Sequence, residues 1–319
     1  LGASVTELIN NYAIIVIPED MVDTLAALEE VIYIEKPKRL NFAIENGKRV
    51  SCIDSVQEAP FNLTGKGCIL CVIDSGIDYS HSAFIQSNGK SRILEIWDQS
   101  IENVEDRIPQ GYNIGAVYTR EDIDRALSMS DEDRKSAVPS VDISGHGTAV
   151  ASIAGGVATE ADFIIVKLGE AMEEGFPKTT QLMQAIDYCV KKGLEYGRPT
   201  AINISFGNNY GSHDGTSLLS TFIDSATNVG RNVIVIGTGN EGSTAVHTAG
   251  RVNGESNVEL AVGRFEKNIS IQIWKTYGDE FNITLTTPNG EKVLIQDNRR
   301  YSYSLDIGQN RLLIYVGEP

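Results

Sequence analysis

Long hydrophobic runs are absent from this chain of 319 residues. None of its apolar stretches approaches the roughly 18 residues that a membrane-spanning helix requires. Residues 1–4 have neither the basic start nor the apolar core of a signal peptide. We therefore expect no membrane span. The first residue is not Met, which leaves open an earlier start to the natural chain.

Basic residues are outnumbered by acidic ones. The chain has 27 Lys and Arg against 43 Asp and Glu, for a formal net charge of −16. Proteins that bind nucleic acid depend on Lys and Arg to displace the counterions of the phosphates. We therefore expect no nucleic-acid partner, and the acidic surplus favours solubility.

Cysteine is scarce as well. The four cysteines, at 52, 68, 71 and 189, are too few for a disulfide scaffold in a chain of this length. Cys68 and Cys71 have the spacing of a redox or zinc motif, but residues three apart on a strand point to opposite faces. We interpret them as buried free thiols, in keeping with a reducing compartment or a deeply packed site, and expect no metal and no cofactor.

The rest of the composition is that of an ordinary globular protein, with 41% hydrophobic and 22% charged residues. Strand-like and helix-like segments alternate along the middle of the chain, which predicts an α/β fold with a doubly wound, mostly parallel sheet. We predict strands at 68–73, 163–169, 201–207 and 232–236, and helices at 146–156, 180–192 and 218–229. We interpret the polar stretch 84–142 as a surface insertion, with 131–133 as a helix start rather than a calcium loop.

The two ends of the chain have patterns of their own. Residues 12–39 predict a βαβ unit with strands at 12–17 and 32–35 and a helix at 21–31. An ordinary amino-terminal subdomain is the alternative for this unit. From residue 251 onward, strand-like runs at 269–274, 281–287 and 311–316 predict an all-β attachment.

His146 stands between two glycines and opens a run of small apolar residues that ends near 156. Imidazole exchanges protons near neutral pH, so this histidine is a candidate general base. The small residues predict a buried helix that passes through the middle of the domain and that other backbones approach closely. A structural histidine is the alternative.

Asp74 ends the apolar run 68–73. Runs without alternation are typical of central strands in parallel sheets, and open α/β sheets place their sites beyond the carboxyl ends of such strands. A carboxylate there can accept the imidazole N–H, orient the ring and stabilise the imidazolium. The alternative is a turn aspartate, because Asp-Ser-Gly also favours turns.

Three segments together resemble one family. Residues 74–78 read Asp-Ser-Gly-Ile-Asp, residues 146–151 read His-Gly-Thr-Ala-Val-Ala, and residues 237–242 read Gly-Thr-Gly-Asn-Glu-Gly. In this order they resemble the subtilisin-like serine proteases, the subtilases. The resemblance implies a subtilisin-like fold, a catalytic Asp74 and His146, and Asn240 as the donor to the oxyanion.

The same resemblance implies roles for other segments. Residues 1–45 resemble a subtilase propeptide that is cleaved and stays bound as an inhibitor, 46–250 the subtilase domain, and 251–319 a truncated β-rich insertion. Segment 168–176 resembles one wall of the substrate cleft. The implied substrate-binding residues are Ser205, Phe206, Gly207 and Gly169. The β-rich insertion resembles the jelly roll of the clostridial Csp germination proteases, which implies a spore or cytoplasmic location.

The expected nucleophile is not in this chain. Subtilases carry their serine in a Gly-Thr-Ser-x-Ala segment after the oxyanion asparagine, and nothing after Asn240 matches it. Ser217 follows Gly-Thr but precedes Asn240 and leads into two leucines, so we do not assign it as the nucleophile. We expect the serine in the remaining C-terminal part of the protease.

Parts of this sequence fit three different functions. The resemblance implies a serine endopeptidase that processes its own propeptide and activates a spore cortex-lytic proenzyme. A catalytically inactive pseudoprotease that binds or signals is the alternative. The Gly-x-Gly-x-x-Gly spelling at 237–242 matches a dinucleotide-binding motif, but no helix pattern follows it, so we expect no nucleotide.

Overall fold

The structure, a computed structural model, describes residues 4–7, 13–18, 21–31, 43–102, 104–169, 178–240, 242, 244–276, 278–296 and 301–316. The chain divides into two compact units, Leu1–Val56 and Gln57–Pro319.

The smaller unit begins with two antiparallel strands, β1 (Ser4–Glu7) and β2 (Ala13–Val16). Its described residues then form three short helices, α1 (Val22–Ala26), α2 (Ala43–Val50) and α3 (Ile53–Gln57), the last of which ends at the first residue of the larger unit. The strand predicted at 12–17 is confirmed, whereas the helix predicted at 21–31 ends at Ala26. A longer helix would place Glu29 and Glu30 near its C-terminus, whose partial negative charge favours basic and not acidic side chains. The last turn of α1 contains no basic residue. The strand predicted at 32–35 lies outside the described residues.

A six-stranded sheet is the centre of the larger unit, with strand order β5-β4-β6-β3-β7-β8. Its strands are β3 (Ile69–Asp74), β4 (Ile93–Asp98), β5 (Ala116–Thr119), β6 (Asp162–Lys167), β7 (Thr200–Ile204) and β8 (Asn232–Ile236). Neighbouring strands are parallel except for β4 and β5. The predicted mostly parallel α/β fold is therefore confirmed.

Helices cover both faces of this sheet. They are α4 (Arg120–Leu127), α5 (Asp131–Ala137), α6 (His146–Val157), α7 (Thr179–Glu195) and α8 (Leu218–Thr227). Alternate residues of β3 point to opposite faces: Cys71 packs in the cluster with α7 and α8, and Val72 in the cluster with α4 and α6. Among the helices in the described parts of the chain, none has the length and hydropathy needed to cross a membrane.

The prediction of a surface insertion at 84–142 is wrong. β4 lies inside the sheet and all six of its residues are buried. The strand contains the acidic residue Glu95, whose carboxylate is compensated: Tyr188 donates a hydrogen bond to it, as does Tyr196 at 2.8 Å, and Lys192 Nζ lies 3.0 Å away. These partners come from α7 and the residue after it, far along the chain. The helix start predicted at 131–133 is confirmed by α5, whose N-cap is the preceding residue.

The cysteines are all free, but only two of them are buried. Cys71 and Cys189 are inaccessible, whereas Cys68 is partly exposed and Cys52 exposed. The prediction of buried thiols is therefore correct for Cys71 and wrong for Cys68, because the strand begins one residue later, at Ile69.

The described residues of the C-terminal part form two antiparallel hairpins. β9 (Asn282–Thr286) pairs with β10 (Lys292–Gln296), and β11 (Tyr301–Ile307) pairs with β12 (Asn310–Val316). The all-β prediction is confirmed, although the strand predicted at 269–274 is wrong. That segment has the alternation of a strand, but it enters no ladder with any described residue.

Candidate active site

The predicted site residues gather at one edge of the sheet. β6, β3, β7 and β8 are adjacent and parallel, so their carboxyl ends lie together. Gly169 follows β6, Asp74 ends β3, residues 205–207 follow β7, and Asn240 follows β8. This is the edge at which open α/β sheets bind their ligands.

Asp74 and His146 are in direct contact. His146 Nδ1 lies 2.7 Å from Asp74 Oδ1, and the contact assigns the ring proton to Nδ1, which leaves Nε2 as an acceptor. The aspartate side chain is 1% exposed and the histidine side chain 55% exposed. A buried acid that orients a solvent-accessible imidazole is the geometry of a general base and its orienting partner, and neither a turn aspartate nor a buried structural histidine requires it.

The position of His146 depends on close packing of α6. Gly147, Ala151 and Gly155 form the buried stripe of this helix. A Cβ at Gly147 would lie 2.2 Å from Gly76 O, and one at Gly155 would lie 2.5 Å from a ring carbon of Phe163. The small residues therefore permit close approach on this face, as predicted. The prediction of a helix passing through the middle is wrong for the described structure, because the opposite face of α6 is exposed.

Lys167 is a buried charge that the sequence reasoning missed. It ends β6, in register with Asp74 on one side and with Asp98 on the other. Its side chain is almost fully buried; Nζ donates to Val141 O at 2.7 Å and lies 3.9 Å from Asp98 Oδ2. Lys167 therefore fixes part of the loop that leads to His146. A lysine inside an apolar strand pattern is the signal that could have drawn attention to it.

The predicted substrate-binding residues lie on both sides of Asp74. Ser205 and Phe206 are half-buried and Gly207 is exposed, and Ser205 Oγ accepts a hydrogen bond from Asn203 Nδ2 at 2.9 Å. Gly169 has φ of 127°, and a Cβ there would meet nothing within 4 Å. Of the cleft wall predicted at 168–176, residues 170–176 lie outside the described residues. Asn240 is exposed in the loop after β8.

Two other sequence features have structural explanations. Ser217 is the N-cap of α8: its Oγ accepts a hydrogen bond from Ser220 N at 3.2 Å and pairs with Ser220 Oγ at 2.8 Å. The glycine-rich segment 237–242 leads to no helix between 244 and 276, so it lacks the helix N-terminus on which dinucleotide binding depends. Among the described residues, no three His, Cys, Asp or Glu side chains form a group that could hold a metal ion.

Comparisons with known proteins agree with this geometry. Residues 65–310 match the subtilase family, Peptidase S8, and residues 1–38 match the Csp protease B prodomain. The chain therefore belongs to the subtilase family of serine peptidases.

Within this family the chain resembles the Csp proteases. It is similar to the Clostridium perfringens CspB protease at 31% identity and a TM-score of 0.70, over 85% of this chain and 57% of that one. It thus spans somewhat more than half of that protease. Weaker similarities are to the S41 psychrophilic protease, at 20% identity and a TM-score of 0.37, and to sphericase, at 21% and 0.38, each over 60% of this chain and 52% of that one. Comparison with curated proteins found no match.

Proposed function

We propose that this chain supplies the orienting acid, the general base and the oxyanion asparagine of a serine endopeptidase. The observation that carries the proposal is the 2.7 Å contact between a buried Asp74 and an accessible His146. Family membership supports serine peptidase chemistry, and the shared edge of the sheet supports a single site.

In this mechanism His146 Nε2 removes the proton from a serine as the serine attacks the peptide carbonyl. Asp74 holds the ring by its Nδ1 proton and stabilises the imidazolium that forms. Asn240 and backbone N–H groups donate hydrogen bonds to the oxyanion, and loss of one such donor typically costs about 3 to 4 kcal/mol of transition-state stabilisation. The substrate is an extended protein strand held by residues 205–207 on one side and Gly169 on the other.

The serine itself is proposed to lie in a further C-terminal part of the protease. Parallel sheets are normally covered on both faces, yet Val233, Val235 and Ile236 of β8 are between 45% and 55% exposed, and Ile153 of α6 is 55% exposed. Additional polypeptide packed on these apolar side chains would cover the sheet and bring the nucleophile to His146.

The match of residues 1–38 to a prodomain supports a self-processed propeptide. We propose that this propeptide spans about 1–45, that the subtilase domain spans 46–250 and that the β-rich insertion spans 251–319. The propeptide is proposed to remain bound to the rest of the protease as an inhibitor after cleavage. Size-exclusion chromatography of the processed protein at micromolar concentration should then show the small fragment co-eluting with the large one. Separate elution would contradict this part of the proposal.

The resemblance to the Csp proteases supports one class of substrate. We propose the proform of a spore cortex-lytic enzyme as the substrate and the spore as the place of action. Incubation of the full-length protease with such a proenzyme should produce one specific cleavage, and an uncut proenzyme beside a protease that cleaves its own propeptide would contradict the substrate.

The peptidase proposal is tested in the full-length protein by propeptide cleavage and by labelling with a fluorophosphonate probe. His146→Ala and Asp74→Asn should both fold and should both lose propeptide cleavage. In Asp74→Asn the amide allows the wrong tautomer of the imidazole, which should reduce activity by about 10⁴-fold. His81→Ala is the matched control, because this exposed histidine caps a short turn elsewhere. Processing at the parental rate in either site variant would refute the roles assigned here. A parental protein that neither processes nor labels would instead be a pseudoprotease.

A further inference from the structure

The amino terminus of α6 is capped from outside the helix. Its N-cap is Gly145, which has φ of 74° and no side chain to offer. An α-helix leaves its first four backbone N–H groups without partners inside the helix. In α6 each of these four N–H groups donates a hydrogen bond to a side-chain oxygen. Asp142 accepts two of them, from Gly145 N at 3.0 Å and from Thr148 N at 2.8 Å. Ser144 Oγ accepts from His146 N at 3.2 Å, and Ser75 Oγ accepts from Gly147 N at 3.0 Å.

Asp142 is the centre of this arrangement. Besides its two backbone donors, it accepts hydrogen bonds from Thr148 Oγ1 at 2.7 Å and from Ser75 Oγ at 2.8 Å, and Ser144 Oγ lies 3.2 Å away. Burial opposes ionisation of this carboxyl, but these hydrogen bonds outweigh it and hold its pKa below the ordinary value. An anion at the amino terminus of a helix is also favoured by the helix dipole.

The same carboxylate is tied to the strand that carries the orienting acid. Ser75 follows Asp74, and its backbone N–H donates to Asp74 Oδ1 at 2.8 Å while its hydroxyl donates to Asp142 Oδ1. Asp142 thus joins the end of β3 and the start of α6 through hydrogen bonds to both. These are the two elements whose relative position sets the distance between Asp74 and His146.

We propose that Asp142 is a positioning residue for the Asp74–His146 pair. This inference rests on the proposed function. The hydrogen bonds of Asp142 go to Ser75, Gly145 and Thr148 rather than to the imidazole or to Asp74, so its effect on the chemistry is carried through the placement of α6 against β3. Misplacement of a catalytic group by about 1 Å can lower a rate by about 10²-fold, so loss of this anchor should reduce kcat strongly while KM changes little.

The test compares Asp142→Asn with Asp106→Asn in the full-length protein. The amide keeps the size of the side chain but cannot accept hydrogen bonds at both ends. Asp106 is an exposed carboxylate in a short 3-10 helix at residues 105–107 and provides the matched control. We expect a fall in kcat of about 10²-fold for Asp142→Asn with KM within about twofold, and parental kinetics for Asp106→Asn.

A spectroscopic measurement separates positioning from a purely structural role. The His146 Nδ1 proton shared with Asp74 should give a low-field proton resonance in protein labelled with ¹⁵N-histidine. We expect Asp142→Asn to shift or broaden this resonance while the other histidine signals keep their parental form, in spectra recorded well below the melting temperature of both proteins. If the resonance and kcat both stay unchanged in Asp142→Asn, the inference is overturned, even if the melting temperature falls.

A second pair of variants keeps the inference testable if Asp142→Asn does not fold. Thr148→Val removes one of the hydroxyl donors to Asp142, whereas Thr148→Ser retains it. We expect Thr148→Val to shift the His146 resonance and lower kcat, and Thr148→Ser to restore both. Equal behaviour of the two variants would overturn the inference. If the parental protein hydrolyses no peptide, the proposed function fails, and the resonance still decides the role of Asp142.

Discussion

Gly147 is the position where the smallest change should have the largest effect on the site. A methyl group there would lie 2.2 Å from Gly76 O and 3.1 Å from Asp74 Cβ. Favourable contacts between non-bonded atoms lie at about 3.5 to 4.0 Å. In Gly147→Ala, α6 and the loop after β3 would therefore have to separate by about 1 Å, next to the contact between His146 and Asp74.

The energetic consequence follows from two opposing terms. Alanine is favoured over glycine in a helix by about 1 kcal/mol, whereas a group forced into a close-packed site typically costs about 1 to 3 kcal/mol. We expect Gly147→Ala to lower the free energy of unfolding by up to about 2 kcal/mol and, through displacement of His146, to lower kcat by about 10²-fold.

Gly156→Ala is the matched control on the same helix. A methyl group there would meet nothing within 4 Å, so only the preference of a helix for alanine over glycine applies. Gly156→Ala should therefore raise the free energy of unfolding by about 0.4 to 1 kcal/mol. Both variants of the full-length protein would be compared by urea unfolding and by steady-state peptide hydrolysis. Equal stability and equal kcat in the two variants would refute the packing argument.

Three further predictions concern other parts of the larger unit. Ser217→Ala should keep fluorophosphonate labelling but, through loss of the N-cap, should lower the free energy of unfolding by about 1 kcal/mol; loss of labelling would instead identify Ser217 as the nucleophile. Tyr188→Phe should cost about 1 to 3 kcal/mol in urea unfolding, because it removes a buried donor to Glu95, and should leave kcat unchanged. Since the pKa of Asp142 is lowered on folding, its contribution to stability is complete above the unfolded pKa and disappears as pH falls through the folded pKa. Unfolding measured against pH should therefore show parental protein and Asp142→Asn converging in acid, and a constant difference would contradict this.

The sequence by itself determined the class of fold and the candidate residues. The apolar run before Asp74 and the small residues after His146 are local patterns, and each predicts its element without knowledge of its neighbours. Their order, together with the segment around Asn240, indicated the subtilase family, which the family comparison confirms. The catalytic roles stay predictions that the geometry supports.

Other features depended on contacts between residues distant in the chain, and only the tertiary structure decided them. The sequence alone does not show that Glu95 of β4 can be buried, because the donors that compensate its carboxylate come from α7 and the residue after it. The segment 269–274 has the alternation of a strand, but a strand forms only when another one pairs with it. Asp142 lies in an unremarkable polar loop in sequence. Its role emerges only when β3 and α6 are brought together, because hydrogen bonds join atoms that are close in space whatever their separation along the chain.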